Sequence, residues 1–396
     1  MSTKEKEENS IQFLTGQVAD GCIECGKCSR DCRYLQQFGL PSEQARAVAE
    51  NRFDFRQAFQ CSLCGLCTEV CPQEIDPAGM FLALRNEAVV RGQGEFRQHR
   101  VLKSYERRGN SPLFSWYGLP RGCTTIFFPG CALPGTRPER IIDLYTELRR
   151  QIPQLGLVLD CCTKPSHDLG QQGYFKHQFS VLRRTLVEQG IKEVLLACPN
   201  CFRMFNDYGA GLKARTIYEL LADSFTHRKQ LTGTVTVHDP CSVRARKQIH
   251  TAVRSLITGS GLTISEMKHH GNNTLCCGEG GAVSYLNKEF SANWGKIRLK
   301  EVEGRKIITY CAGCTDYLGK LMDTSHVVDL LFEPEKTLLG KEKSATSPFT
   351  YLNRLLLKRR LPGVVQPAME GRRERDGKIY FESRTGKPTT GCEQKK

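Results

Sequence analysis

The chain has 396 residues, 39% of them hydrophobic and 25% charged, with twenty cysteines and a formal net charge of +15. That length gives two to four units of roughly 100–200 residues with a sizeable core, and no apolar run approaches the ~18–20 residues of a bilayer span. The start is polar and mixed in charge, without the apolar stretch and cleavage site of a secretory signal. The expectation is a cytoplasmic protein whose cysteines bind metal or carry redox chemistry rather than form disulfides.

Eight cysteines fall between residues 11 and 90 in two tight groups. Cys22, Cys25, Cys28 and Cys32 are separated by two, two and three residues; Cys61, Cys64, Cys67 and Cys71 repeat the spacing, with Pro72 behind the last. Three thiolates two residues apart let a tight loop wrap one cubane, while the fourth cysteine leaves on a helix and ligates the other cluster. The expected sets are Cys22, Cys25, Cys28 and Cys71 for one [4Fe–4S] cubane, and Cys61, Cys64, Cys67 and Cys32 for the other. Gly26 and Gly65 sit where backbone passes close to a cluster. Zinc, which takes paired C-x2-C groups, does not suit this spacing. With its connection, the unit spans residues 1–118.

Residues 91–120 are basic and read as a helix-containing link. From about Thr124, short β-branched or aromatic runs alternate with longer helical ones, which predicts βαβ units and a mostly parallel sheet. The predicted strands are Thr125–Phe128, Leu157–Leu159, Glu193–Leu196, Val235–His238 and Lys306–Tyr310. Each leads into a cysteine (Cys131, Cys161, Cys198, Cys241, Cys311), at the carboxyl strand ends where α/β folds place their sites. Helices are predicted over Pro138–Ile152, Gly173–Gln189, Ile217–Phe225 and Asn287–Val302.

The cysteine pattern is internally repeated. Cys131, Cys161, Cys162, Cys198 and Cys201 match Cys241, Cys276, Cys277, Cys311 and Cys314 at offsets of 110, 115 and 113 residues. Two homologous lobes, 119–232 and 233–340, each with one five-cysteine site, are the simplest explanation. A tetrahedral zinc takes four ligands, and adjacent cysteines of an extended chain point apart. Five thiols suit a larger polynuclear centre.

The tail, 341–396, carries 14 Lys/Arg against 6 Asp/Glu, more than half of the excess charge. That points to a docking surface for an acidic partner, or to peripheral membrane association on an anionic face. Nucleic acid is not expected as a partner, because no nucleic-acid module accompanies the charge. Pro348–Leu361 reads as a short basic amphipathic helix, and Gly371–Lys396 as disordered.

The pattern C-x(n)-C-C-G-x(n)-C-x2-C, with His238-Asp-Pro-Cys241 and Cys276-Cys277-Gly278-Glu-Gly-Gly281, resembles the cysteine-rich CCG domain of heterodisulfide reductase catalytic subunits. Iron–sulfur subunits of anaerobic glycerol-3-phosphate dehydrogenase and of lactate and glycolate oxidases are similar. A dicluster unit ahead of two such lobes is the arrangement of the fused catalytic subunit, and the match runs from about Cys22 to Leu331. The first lobe departs from it, with Cys161-Cys162-Thr163 in place of Cys-Cys-Gly. The resemblance implies an α/β part of two pseudo-twofold-related lobes with mostly parallel sheets, behind a helical dicluster ferredoxin-like domain. It also implies a noncubane [4Fe–4S] cluster in each lobe, held by the ten lobe cysteines as catalytic residues. A small disulfide would bind between the clusters and be cleaved to two iron-held thiolates.

Reducing a disulfide takes two electrons, whereas a cubane carries one at a time. Two cubanes feeding two further centres would let electrons accumulate. The favoured function is therefore a thiol–disulfide oxidoreductase subunit, because neither lobe lacks a cysteine. The alternative is an electron-transfer subunit linking a flavin dehydrogenase to quinone or a membrane cytochrome. Expected partners are other redox subunits: a flavoprotein, a ferredoxin-type donor or a membrane cytochrome. No G-x-G-x-x-G follows a strand, so no nucleotide or flavin is expected on this chain. His238 reads first as a packing or ligand-supporting histidine, with proton delivery to a product thiolate as the sharper role. His269 and His270 read as a solvated loop pair, His326 as structural, Cys123 as an inert thiol and Cys392 as incidental.

Overall fold

The computed structural model describes residues 11–383 except Arg228 and Lys343. Cys392 lies outside the described residues. Residues 11–90 are mainly helical. Ile11–Gly21, Pro41–Ala49 and Pro77–Val90 close around a core of Val18, Phe59, Met80, Phe81 and Leu84, with further turns between. Pro77–Val90 starts where the sequence chemistry favours it: Pro77 fixes the first helical φ, and the Asp76 carboxylate accepts from Gly79 N at 3.0 Å.

The remainder is mixed α/β. Its strands are β1 (Trp116–Leu119), β2 (Thr125–Phe128), β3 (Gly156–Leu159), β4 (Glu193–Leu196), β5 (Lys213–Thr216), β6 (Thr234–His238), β7 (Thr263–Ile264), β8 (Lys306–Thr309), β9 (Thr324–His326), β10 (Met369–Arg373) and β11 (Ile379–Ser383). They form a seven-stranded sheet in the order β11-β10-β1-β3-β2-β4-β5 and a four-stranded sheet in the order β7-β6-β8-β9. The second sheet is parallel throughout. The first is parallel only from β3 through β5, while β1, β10 and β11 pair antiparallel. The expectation of mostly parallel sheets therefore fails for the first. The run β3-β2-β4-β5 has the same order as β7-β6-β8-β9. Residues of these strands such as Ile126, Phe127, Val194, Val237 and Ile308 are fully buried, as expected of parallel strands covered on both faces. The helix Pro138–Gln151 covers one face with Ile141, Leu144, Tyr145 and Leu148, a stripe at helical spacing.

The tail is the main departure from expectation. Phe349–Val365 is a helix, longer than the sequence suggests, that buries Leu357, Leu361 and Val365 in the core of the first sheet. Residues 369–383, read as disordered from Gly371 onward, form the β10–β11 hairpin on its edge. The inward positions of β10 are Gly371 and Arg373, so the apolar alternation that marks a half-buried strand is absent from the sequence. Part of the tail's positive charge is engaged within the fold. Arg373 pairs with Asp160, Arg360 with Glu139, and the Lys358 ammonium donates to Pro112 O and Leu113 O. No helix among the described residues is long and apolar enough to cross a membrane.

Candidate functional site

All nineteen described cysteines are free thiols. In the N-terminal unit they line two adjoining cavities. One has Cys22, Cys25, Cys28 and Cys71 on its wall, the other Cys61, Cys64, Cys67 and Cys32; Cys28 and Cys67 reach both. The two loops share a backbone conformation. Glu24 and Leu63 adopt left-handed φ of 54° and 48°, and Gly26 and Gly65 both have φ of 72°. Cys32 sits at the start of the helix Arg33–Phe38, which carries it across to the other loop.

Cys25 is exposed, so the first cavity opens to the surface, whereas Cys61 is buried. Burial, with Cys22 beside it, pushes the Cys28 thiol up to about 11, and burial pushes Cys61 up to about 12. Alone, these thiols stay protonated; a cationic metal centre is what makes them thiolates. The all-sulfur donor set and the paired loops fit iron–sulfur clusters.

The inner cavity abuts the second sheet's half of the molecule. The Arg244 guanidinium donates to Cys64 O at 3.2 and 3.3 Å, and Trp294 Nε1 donates to Ser62 Oγ at 3.1 Å. Leu66, Leu275, Cys276 and Trp294 share one buried cluster, with Cys64 and Cys241 packed against it. The fully buried Arg85 ties the parts together. It donates to Ala58 O (2.9 Å), Cys61 O (2.5 Å), Asp168 O (2.6 Å) and Gly281 O (2.9 Å).

The strand ends of the first sheet bring together Cys131, Cys161, Cys162, Cys198 and Cys201. Cys201 Sγ lies 3.3 Å from Cys162 Sγ, and hydrogen bonds join Cys131 to Cys161 and Cys198 to Cys201. Those of the second sheet bring together Cys241, Cys276, Cys277, Cys311 and Cys314, linked from Cys241 to Cys276, Cys277, Cys314 and Cys311. The hydrogen bond from Cys161, helped by Arg354 and Tyr105, holds Cys131 down at about 6. Cys277 is held at about 7 by Cys276 and Cys314.

Matching turns follow the paired cysteines. Gly278 has φ of 110°, where a Cβ would come within 2.5 Å of Tyr317 and 2.6 Å of Ser291 O. Thr163 stands at the same place in the first half with φ of 53°. A β-branched residue there costs about 1–2 kcal/mol, and its buried hydroxyl has no partner among the described residues.

His238 is fully buried, with a ring nitrogen, Cys277 Sγ and Cys314 Sγ all within 4.8 Å of one another. Burial, aided by Arg298, holds its imidazole neutral, down to about 3.

The two five-cysteine groups face each other. Asn200, between Cys198 and Cys201, points its amide nitrogen at Cys311 Sγ across 3.9 Å. The Tyr218 hydroxyl lies 2.8 Å from Ala197 O and 3.2 Å from Tyr310 O, joining the residues that precede Cys198 and Cys311. Lys164 and Glu279 interact electrostatically with cysteines of the opposite group. The Lys164 charge acts on Cys241, while Glu279 feels Cys198 and Cys131 and is pushed up to about 7, chiefly by burial.

Known proteins match both regions. A family described as "4Fe-4S dicluster domain" matches residues 18–75, and one described as "Cysteine-rich domain" (CCG) matches 235–319. One subunit of a fumarate reductase (CoM/CoB) from Methanothermobacter marburgensis is 27% identical over 351 residues, covering 78% of this chain and 69% of that one. A subunit of the dihydromethanophenazine:CoB–CoM heterodisulfide reductase is 22% identical in Methanosarcina barkeri (71% of this chain, 83% of that one) and 24% in Methanosarcina mazei (79% and 91%). The chain resembles the CCG-type iron–sulfur subunit of that heterodisulfide reductase.

A hypothetical protein from Helicobacter pylori overlays this chain at a TM-score of 0.45 and 9% identity, covering 89% of this chain and 75% of that one. Several residues around the site are invisible to pattern reading. Asn200 and Glu279 lie inside the cysteine motifs and are findable there. Arg85, Arg354 and Arg373 carry no local signal. His269, expected in solvent, is anchored by Glu301 and lies 3.8 Å from Asp31. His326 caps Val327–Phe332 by accepting from Val328 N, a structural role. Cys123 is buried against Thr125 O, 3.2 Å away.

Proposed function

We propose that this iron–sulfur oxidoreductase interconverts a small disulfide and two thiols in the gap between its two five-cysteine groups. The balanced step is R–S–S–R′ + 2e⁻ + 2H⁺ → R–SH + R′–SH, with a one-electron redox protein as reductant; the reverse forms the disulfide. The observation that carries the reading is the facing of the two groups, with Asn200 reaching Cys311. The two groups, one on each run of equal strand order, are read as homologous lobes related by a pseudo-twofold.

The proposed ligand sets are Cys22, Cys25, Cys28 and Cys71; Cys61, Cys64, Cys67 and Cys32; and the five cysteines of each lobe, for two cubane and two noncubane [4Fe–4S] clusters. When bound, the clusters supply single electrons and iron sites with affinity for thiolate. The cysteines set the order of transfer. Exposed Cys25 marks the entry, the inner cavity beside Cys241 and Cys276 the relay, and the gap between lobes the destination. Arg244 and Trp294 hold the relay against the second lobe, and Lys164 brings positive charge to the gap. Iron and sulfide counts with anaerobic electron paramagnetic resonance test the reading. About sixteen irons per chain, and a new paramagnetic signal only when a disulfide is added, are expected. A fully loaded protein indifferent to every disulfide and thiol offered refutes it.

The second reading is electron transfer without bond-making, between a flavin dehydrogenase and quinone or a membrane cytochrome. A relative named EtfAB:quinone oxidoreductase, 21% identical over 58% of this chain and 37% of its own length, favours it. Under that reading both five-cysteine groups titrate as simple one-electron carriers, unaffected by thiols.

A further inference from the structure

Around each shared cysteine, the internal repeat gives residues of one lobe a counterpart in the other. Cys131 answers to Cys241 at an offset of 110 residues, so the counterpart of His238 on β6 is Phe128 on β2. Both side chains are fully buried. Phe128 needs no polar partner and packs edge-on against Phe205 at 5.2 Å. His238 has neither ring nitrogen hydrogen-bonded among the described residues.

A neutral imidazole carries one N–H and one lone pair. Leaving either buried and unpaired costs about 1–3 kcal/mol. Thiolates and sulfides accept hydrogen bonds but donate none, so a sulfur partner satisfies the N–H and leaves the lone pair orphaned. No N–H or O–H among the described residues is placed to donate to that lone pair, and a metal ion held by the neighbouring thiolates would take it. A His238 ring nitrogen and the sulfurs of Cys277 and Cys314 lie within 4.8 Å of one another, a buried trio that can share one metal ion.

We propose that His238 is a ring-nitrogen ligand of the metal centre held by Cys241, Cys276, Cys277, Cys311 and Cys314, which makes the two five-cysteine centres chemically unlike. The proposal rests on the cluster reading above. A neutral imidazole in a coordination position that hydroxide or another anion would otherwise fill leaves the centre less negative, and histidine in place of an anionic ligand raises the potential of iron–sulfur centres. The second-lobe centre, next to the relay at Cys64, is therefore the first of the two to fill with electrons.

The test uses the full chain, purified anaerobically with ¹⁵N-histidine or ¹⁴N-histidine, and electron–nuclear double resonance on the paramagnetic second-lobe centre. A strongly coupled nitrogen that follows the isotope is expected. It should vanish in His238→Gln and in His238→Phe, with reduction of that centre at least tenfold less favourable, or 59 mV for one electron. A fully iron-loaded second-lobe centre with no strongly coupled histidine nitrogen in the wild type overturns the proposal and leaves the cluster reading standing. A chain without iron on those five cysteines overturns both.

Discussion

Arg373→Met probes how far the C-terminal hairpin supports the first five-cysteine group. Arg373 and Asp160 are both fully buried, with Nε donating to Asp160 Oδ2 at 2.7 Å. Asp160 Oδ1 accepts from Cys161 N at 2.7 Å, and the Tyr117 hydroxyl donates to Oδ2. The same guanidinium donates to Gln178 Oε1 at 3.0 Å, Gln178 O at 3.2 Å and Gly377 O at 3.2 Å. Methionine fills similar space but leaves a buried carboxylate without its countercharge. Removing one partner of such a pair costs about 3–5 kcal/mol, and the lost carbonyl contacts place the expectation near the top of that range. Domains are stable by roughly 5–15 kcal/mol. For an m-value near 2 kcal/mol/M, the urea midpoint should drop by about 2 M. Asp160→Asn added to Arg373→Met removes the stranded charge and should recover at least half of the loss. Urea unfolding of anaerobic protein, followed by circular dichroism, measures both. A single variant within about 1 kcal/mol of the parent, or a double variant no better than the single, refutes the reasoning.

Arg354 reaches the first five-cysteine group from the same tail, 3% exposed, stacked on Phe114 at 4.8 Å and acting on Cys131. Arg354→Met should make reduction of that centre about tenfold less favourable, 59 mV for one electron, in a titration followed by paramagnetic resonance; an unchanged potential excludes the role. At Gly130, with φ of 82°, an added Cβ lies 3.0 Å from Cys201 Sγ and 3.2 Å from Cys198 Cβ. Gly130→Ala should empty the first-lobe site and spare the dicluster unit, and full iron content would contradict this. Burial holds His99 at about 4 against 6.5. The unfolded chain takes the proton first as pH falls, so stability is intact above 6.5 and lost between 6.5 and 4. The loss is roughly 1.4 kcal/mol per pH unit, or about 2 kcal/mol at pH 5. His99→Gln should flatten that slope, and equal acid losses in the two proteins would remove the explanation.

The helical dicluster unit and the parallel strands were legible because their signals are local. A thiolate loop has fixed spacing, and a strand buried on both faces is a continuous apolar run. Thr125–Phe128 and Glu193–Leu196 have the bounds their sequence suggested. The antiparallel half of the first sheet was not legible, because β10 turns Gly371 and Arg373 inward. The partner of Arg373 is 213 residues away. Charge counting treated the tail as free surface, whereas Arg354 and Arg373 are buried and the Lys358 ammonium is engaged by two carbonyls. Thr163 shows the converse. A glycine rule flagged the position, yet the backbone keeps the left-handed turn and leaves a threonine under strain.

The two repeats are completed by different parts of the chain. The second sheet ends in β7, a two-residue edge, and its cysteine group is closed by the dicluster unit through Arg244, Trp294 and Asn272, whose amide donates to Glu69 at 3.0 Å. The first sheet runs on past β3 through β1, β10 and β11, and its cysteine group is closed by Arg354 and by the Arg373–Asp160 pair. A repeat that lined up two identical cysteine groups would give both the same surroundings. Here one borders the dicluster unit and has a buried histidine beside it, while the other is backed by buried cations and a strained turn. Under the proposed function, two electrons arriving singly would meet unlike acceptors, and their order of arrival would be set by the residues that do not repeat.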